Sequence, residues 1–480
     1  MVNILINKGG IVLAKDLRLF LNELGDLMLR INQPVDPVTQ IGVLCSESRG
    51  PIMFENLVGF PNWKLVDILV KSRETQAIAL GTTPDKILSY LASCIYEKGP
   101  GKSVIISDGP CKEIKLLGNE ADLTKLPIPI HSIGDAGRYL GSGVTITKDP
   151  DTGVRNEAFL RTWIREPRRV PFRMMQRHNW NHLMKYKERG EPMPIAHAIG
   201  LHPAYEIMAN FSGRHDTYDE LELGAGVLNE TLEMVKCETI DLEVPAHAEI
   251  IIEGLVYPDV WEPEGPFGEF TGYGGGESQA QAPVIEVTAI THRRDPIFRH
   301  CQATVFTDHQ ALVSVPIEAT LYRRLSDVHG YTEIHDVYMP NWAGNFIVFV
   351  QLTSRYDGQA RDVLLAALSS QNLHPKIVVA VDQDVDIYDP KQVFWAISTR
   401  VNPEKDVIII PNERIHNLDI SVPYADYGPK ASVNMRIGGK MGIDATKPPL
   451  NREVQRKNFS IVSPMGKGDP SLEELLKLVR

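Results

Sequence analysis

Val144-Thr145-Ile146-Thr147, then Asp149-Pro150-Asp151-Thr152-Gly153, then a second extended run from Asn156 to Ile164, reads as a β-hairpin. β-Branched residues favour a pleated strand, and the Asp/Pro/Gly cluster supplies the turn. Outward from it, Val170-Phe172-Met174, Pro194 to Leu201, Thr239 to Val256 and Val284 to His292 add strands, the last ending at the turn Arg294-Asp295-Pro296. Interrupted by one helix near 217–228, this density of short strands predicts a split β-barrel-like domain over residues 115–315.

The flanks read differently. Asp16 precedes the helical stripe Leu17, Phe20, Leu21 and Leu24. Thr83-Pro84-Asp85 opens a second helix, with Thr83 as cap, Pro84 at the first turn, and Ile87, Leu88, Leu91 and Ile95 on its buried face. Residues 1–114 are therefore an N-terminal α/β domain, and the turn-rich run 107–140 is a connector. After residue 316 strands at Asn345 to Leu352, Lys376 to Val381 and Val407 to Ile410 alternate with helices at Arg361 to Leu368 and Pro390 to Ser398. That rhythm predicts a C-terminal α/β domain over 316–480, and a mixed α+β protein overall. Asp469-Pro470-Ser471-Leu472 opens a terminal helix whose Leu472, Leu475, Leu476 and Val479 share one face, an expected oligomer contact.

Composition narrows the class. A 480-residue chain with 43% hydrophobic residues and net charge −11 is not built for nucleic acid or an anionic membrane. No run of 18 apolar residues and no signal-peptide pattern occurs, and five scattered cysteines make no Cys-x-x-Cys, so a cytoplasmic protein with free thiols is expected.

The densest chemistry is Trp261-Glu262-Pro263-Glu264-Gly265-Pro266-Phe267-Gly268-Glu269-Phe270-Thr271-Gly272-Tyr273, three carboxylates within eight residues. Its prolines and glycines forbid a helix interior and favour a fixed loop, which is either a solvated acidic turn or a proton-transfer device. Asn156 and His178 are competent metal ligands, though a lone strand histidine is more often only hydrogen-bonded. Asn156 and Arg161 differ by an odd number, so serving one pocket requires the chain to bulge or turn between them, near Glu157-Ala158. Thr217-Tyr218-Asp219-Glu220 reads as a capping box, with Glu220 reaching back to Thr217. Asp382-x-Asp384-x-Asp386 lacks the glycine and glutamate of a calcium loop; Gly438-Gly439-Lys440-Met441-Gly442 is a weak candidate anion cradle. No P-loop, complete dinucleotide fingerprint or Gly-x-Ser-x-Gly elbow is present.

In this order the fragments resemble the UbiD family of non-oxidative decarboxylases, which use prenylated FMN. The resemblance rests on Asn156-x4-Arg161, Gln176-Arg177-His178, Glu220 ahead of Val235-Lys236-Cys237-Glu238-Thr239, and Glu264-Gly-Pro-Phe-Gly-Glu269-x2-Gly-Tyr273. Val385 to Asp389, Trp395 to Arg400 and Lys440 to Thr446 extend it over roughly 30 to 450. It implies that Asn156, His178 and Glu220 hold manganese or magnesium against the flavin phosphate, with potassium as a further ion. It implies cofactor contacts from Phe159, Leu160, Arg161, Met175, Gln176, Arg177 and His178, and a catalytic trio of Arg161, Glu264 and Glu269. In that scheme Arg161 orients the substrate carboxylate and keeps Glu264 ionised, while Glu269 delivers the proton that replaces carbon dioxide. Glu157-Ala158-Phe159 departs from the small residues expected after the asparagine.

The function so implied is reversible decarboxylation of an aromatic, including phenolic, or α,β-unsaturated carboxylic acid. The flavin would be supplied by a flavin prenyltransferase, and the assembly would be a homodimer or homohexamer. A flavin-binding redox protein and a non-catalytic subunit of a multi-subunit carboxylase are the alternatives. Residues 300–320 and 430–446, with Asp308, His309 and Ser314, are expected at the pocket mouth.

Overall fold

A computed structural model describes residues 15–462 apart from 214–217, 275–279, 305–306, 329, 331–332 and 424–435. The hairpin is present: Val144–Lys148 pairs antiparallel with Arg155–Phe159 in unbroken register. It forms one end of a seven-stranded sheet, ordered Arg169–Pro171, Ala280–His292, Ile250–Glu264, Met193–Ile199, Val144–Lys148, Arg155–Phe159, with Ile114–Leu117 also paired to Ala280–His292. Among the described residues no pairing joins its outer strands, so the architecture is a mixed α+β fold on an open sheet. Successive side chains of a strand face opposite ways. Ile251 accordingly joins one apolar core with Val144, Ile146 and Ala198, while Ile250 and Ile252 join another with Ile195, Ile199 and Ile285.

Local readings held or shifted for identifiable reasons. Asp16 caps Leu17–Glu23, accepting from the Leu19 N–H. The second helix has its expected buried face of Ile87, Leu88, Leu91 and Ile95, but it passes from a 3₁₀ turn through Ile87–Ser93 into a π-turn, and the Thr83 side chain does not cap it. The single strand expected from Thr239 to Val256 is two strands. Pro245, which has no N–H to donate, ends a short strand, Glu243–Pro245, that belongs to a separate sheet with Thr231–Lys236 and Lys102–Ile105. Ile250–Glu264 then runs fifteen residues, directly to Glu264.

A four-stranded sheet at the N-terminal side combines Leu29–Ile31, Ile52–Phe54 and Lys64–Asp67 with Ile297–Arg299, which arrives from far along the chain. The C-terminal sheet is ordered Ile334–Tyr338, Ile347–Leu352, Ile377–Val381, Arg436–Ala445, Val407–Ile415, and its three middle strands are parallel. Helices Gln359–Leu368 and Pro390–Arg400 lie between these strands in the chain, as the alternation predicts. The glycine run expected to cradle an anion is instead the strand Arg436–Ala445. A Cβ on Gly442 would meet Leu364 Cβ at 3.3 Å, so glycine permits close helix–strand packing, and Lys440 Nζ donates to the Leu368 carbonyl at 2.7 Å. Asp384 is engaged by Arg400 and Lys447, and Asp382 by Arg456. The terminal helix expected after Asp469 lies outside the described residues. Among them no helix is long and apolar enough to cross a membrane.

Candidate active site

Glu264 ends its strand, opposite Ala280, and the chain then turns through Gly265, at φ 106°, and a cis Gly265–Pro266 peptide. The turn is pinned from a neighbouring loop. Gly268 N donates to Asp135 Oδ1 at 2.7 Å, Ala136 N donates to the Pro266 carbonyl at 2.9 Å, and a Cβ on Gly268 would lie 2.7 Å from Ser132 Oγ. Arg161 sits in the link between Arg155–Phe159 and Thr162–Trp163. Its Nε and Nη2 donate to the two oxygens of Glu264 at 2.9 and 3.0 Å, and its Nη1 donates to Glu269 Oε1. The guanidinium carbon stands 4.6 Å from the Phe267 ring centroid, and Phe267 packs on Tyr139 at 4.6 Å. Burial opposes the Arg161 charge, but Glu269 and Glu264 outweigh it and raise the guanidinium above its ordinary value. Burial and the nearby Glu264 charge likewise keep the Tyr139 hydroxyl protonated. The two glutamates are unequal in place: Glu264 is fully buried and doubly bonded, whereas the Glu269 side chain is 15% exposed and singly bonded.

The hairpin reaches both Asn156 and Arg161 without a bulge at Glu157-Ala158. The ladder is regular through Phe159 and the direction changes at Leu160-Arg161, where pairing to Val144–Lys148 has run out. Asn156 Oδ1 lies 2.9 Å from His178 Nδ1, and Asn156 Nδ2 donates to Asn179 Oδ1 at 2.5 Å. His178 opens helix His178–Arg189, and Glu220 opens helix Glu220–Leu228. The cap of the second helix is Asp219, which accepts from Glu222 N at 3.0 Å; Thr217, on which the expected capping box depends, lies outside the described residues.

Glu220 is engaged by Glu157 instead. Glu220 Oε2 accepts from Glu157 N at 3.0 Å, while Glu157 Oε2 accepts from Glu220 N at 2.8 Å and Leu221 N at 3.3 Å. Burial pushes Glu220 up to about 7; burial and the charges of Asp219 and Glu220 push Glu157 well above the usual carboxylate range. Glu157 Oε1 is buried with no hydrogen-bond partner among the described residues. An amide oxygen, an imidazole nitrogen and a carboxylate are a donor set that suits manganese or magnesium, so Asn156, His178 and Glu220 fit a divalent ion. Glu157 is the functional neighbour that the sequence reading passed over as a departure from pattern.

Both groups open into one cavity of about 780 Å³. Phe159, Leu160, Met175, Gln176 and Arg177 also line it, so every residue expected to act in catalysis or to hold cofactor or metal meets in one place. That volume is in the range of cofactor-sized sites. His309, Val313 and Ile317 of helix Asp308–Arg323 line the cavity, within the stretch expected at its mouth, whereas His374, Arg414 and His416 escaped the sequence reading. The first three recur every four residues, a spacing that marks one helix face. Burial holds His309 and His416 down to about 4, so both imidazoles are neutral. Asp308 does not face the cavity, because its carboxylate accepts from Leu69 N, Val70 N and Arg299, and Ser314 Oγ donates to the Ala311 carbonyl. Arg436 lines the cavity, while 430–435 lie outside the described residues.

Comparison with known proteins defines the class. Family models of the 3-octaprenyl-4-hydroxybenzoate carboxy-lyase match at residues 19–95 (N-terminal domain), 102–305 (Rift-related domain) and 310–445 (C-terminal domain). The chain belongs to the UbiD family of decarboxylases. An anhydromevalonate phosphate decarboxylase of Methanothermobacter thermautotrophicus is 30% identical over 441 residues, covering 91% of this chain and 98% of the relative. The UbiD-class enzyme HmfF of Pelotomaculum thermopropionicum, solved with FMN, superposes with a TM-score of 0.85 at 34% identity, over 96% of this chain and 99% of that one. An evolved dimeric form of HmfF is solved with prFMN, at a TM-score of 0.83, 34% identity, and 96% and 100% coverage. A 3,4-dihydroxybenzoic acid decarboxylase of Enterobacter cloacae superposes with a TM-score of 0.83 at 26% identity, over 96% and 99% of the two chains.

Proposed function

We propose that this chain is a reversible decarboxylase of an aromatic or α,β-unsaturated carboxylic acid, holding prenylated FMN and a divalent ion in its cavity. The observation that carries this reading is the single Arg161 guanidinium shared by Glu264 and Glu269 in a cavity that also presents Asn156, His178 and Glu220. Loss of carbon dioxide from an sp² carbon leaves an electron pair that no side chain delocalises, and the prenylated flavin, when bound, supplies that electron sink. The flavin complexes of HmfF support the same assignment.

The chain's own residues do the rest. Asn156, His178 and Glu220 would hold manganese or magnesium, which would offset the negative charge of the cofactor, with potassium a further candidate ion. Arg161 orients the substrate carboxylate, Glu264 fixes the guanidinium with both oxygens, and Phe267 covers its face. Glu269, singly bonded and partly open, delivers the proton to the carbon that lost carbon dioxide. A flavin prenyltransferase supplies the cofactor, the terminal helix expected from Asp469 serves a homodimer or homohexamer, and domain boundaries fall near 114 and 315. The Methanothermobacter thermautotrophicus relative favours a second substrate class, a phosphate-bearing acid.

Glu269→Gln is the test. Decarboxylation should fall by about 10²–10⁴-fold, the usual loss on removing a positioned acid, with flavin absorbance unchanged; full activity would refute the role.

A further inference from the structure

Of the three residues that fit a divalent ion, Asn156 can serve with only one end of its side chain. The amide oxygen has lone pairs to give a cation, whereas the –NH₂ group only donates hydrogen bonds. The two ends have nearly the same shape, so a neighbour must decide which of them faces the ion.

Register and helix spacing bring that neighbour in. Thr147 stands directly opposite Asn156 in the hairpin, and cross-strand neighbours project from one face of a sheet. In helix His178–Arg189, Asn179 and His182 are three residues apart and His178 and His182 four, so the three share a side. Thr147, Asn156, Asn179 and His182 are all buried, and buried polar atoms take their partners from the protein. Asn179 Oδ1 accepts from Asn156 Nδ2 at 2.5 Å and from the Thr147 hydroxyl at 2.8 Å. Thr147 Oγ1 also lies 2.8 Å from His182 Nδ1. A hydroxyl has one proton, and Thr147 donates it to Asn179; toward His182 it accepts, so Nδ1 carries the hydrogen of that ring. Asp149 Oδ2 is 4.0 Å from His182 Nε2, too far for a hydrogen bond that would draw the proton to the other nitrogen. With two donors on it, the Asn179 oxygen is filled and is not itself free to ligate. Turning the Asn156 amide over would set its oxygen against that oxygen, acceptor against acceptor. The Asn156 nitrogen is therefore kept on Asn179, and Asn156 Oδ1 is left facing His178, 2.9 Å from Nδ1.

We infer that Asn179, itself fixed by Thr147 and His182, is the positioning residue that keeps the Asn156 oxygen turned to the divalent ion. The inference rests on the metal assignment within the decarboxylase reading and adds the layer behind it. Hydrogen-bond partners of this kind set the orientation of a metal ligand, and their loss typically costs about 10–100-fold in metal affinity.

Manganese titrated into the full chain with FMN at saturation measures the effect, the free ion being followed by its EPR signal. Wild type should bind manganese, and Asn156→Ala should bind it weakly. Asn179→Leu keeps the shape but removes the acceptor, and should weaken binding about 10–100-fold. Asn179→Asp, whose carboxylate only accepts, should hold wild-type affinity or better. If the hydrogen bonds ran the other way, with Asn179 donating to Asn156, aspartate would fail as badly as leucine, and that result overturns the inference. Thr147→Val removes only the second donor to Asn179 and should cost about 3–10-fold, the worth of one neutral hydrogen bond. It carries the test if thermal unfolding without metal shows that the leucine variant does not fold. Wild-type affinity in a folded Asn179→Leu, or in Thr147→Val where the leucine variant is unfolded, would also refute the role of Asn179; weak binding by Asn156→Ala would then leave the metal assignment standing. No manganese bound by wild type, or undiminished binding by Asn156→Ala, overturns the metal assignment and this inference with it.

Discussion

Glu206→Gln tests the charge cluster that sets the start of helix Asp308–Arg323, and through it the cavity wall that includes His309. Arg299 is completely buried and donates to Asp67 at 3.1 Å, Glu206 at 3.0 Å and Asp308. One cation thus faces three buried carboxylates. Burial, outweighing the attraction of Arg299, pushes Asp67 and Glu206 each up to about 7. For Glu206 the rise from 4.5 to about 7 corresponds to about 3 kcal/mol of proton linkage. Because the folded-state value is raised, that stability is complete below the unfolded carboxyl's pKa of 4.5 and is lost as pH rises through about 7. Glutamine keeps the shape and an acceptor oxygen for Arg299 but cannot ionise. Relative to wild type, Glu206→Gln should therefore gain up to about 3 kcal/mol between pH 5 and pH 8. Urea unfolding at pH 5, 6, 7 and 8, followed by tryptophan fluorescence, measures this. A variant that instead loses ground to wild type with rising pH would mean that Arg299 holds Glu206 ionised, and the reasoning would be wrong.

Three further expectations follow from the site. Glu157→Ala strips the acceptor from Glu220 N and Leu221 N; it should cost about 1–3 kcal/mol and weaken manganese binding about 10–100-fold, read by thermal unfolding and metal titration, and unchanged metal affinity would contradict its supporting role. Gly101→Ala would place a Cβ 2.7 Å from Gly226 N and 2.9 Å from Ala225 C, against the helix that carries Glu220. Unfolding should then come earlier by about 1–3 kcal/mol, whereas a variant as stable as wild type would show that the contact relaxes freely. Dialysis against a chelator should release flavin along with the metal, seen as lost absorbance in the retained protein; flavin held fully without metal would speak against a phosphate-bridging ion.

Much of this site was legible because its chemistry is local in the chain. Glu264 to Glu269 spells a rigid turn with its own aromatic cover, and Asn156 to Arg161 occupies one strand and its exit. What sequence could not supply was contact across long separations. Glu157 looked like a departure from pattern because its partners, Glu220 and Leu221, lie more than sixty residues away. Arg414 sits in a strand whose alternation gives no hint that it lines the cavity. The Gly438-Gly439 run read as a weak anion cradle because glycines often mark loops, yet it lies in strand Arg436–Ala445, where Gly442 lets a helix approach closely. The expected bulge after Asn156 was placed too early for a related reason: parity shows that a strand must change direction, and only its neighbour's length shows where.

The strand Ile297–Arg299 has a consequence for how the protein is made. It completes the N-terminal sheet beside Lys64–Asp67, and its Arg299 meets Asp67 across 232 residues of sequence. At a synthesis rate of about 5–20 residues per second, Asp67 leaves the ribosome roughly ten to fifty seconds before its cation does. Through that interval the carboxylate has no Arg299 to receive it and the sheet lacks its outer strand. The first sheet of the nascent chain is thus finished only after the middle of the polypeptide has emerged, so a fragment ending before Arg299 should require a chaperone or remain soluble only in part.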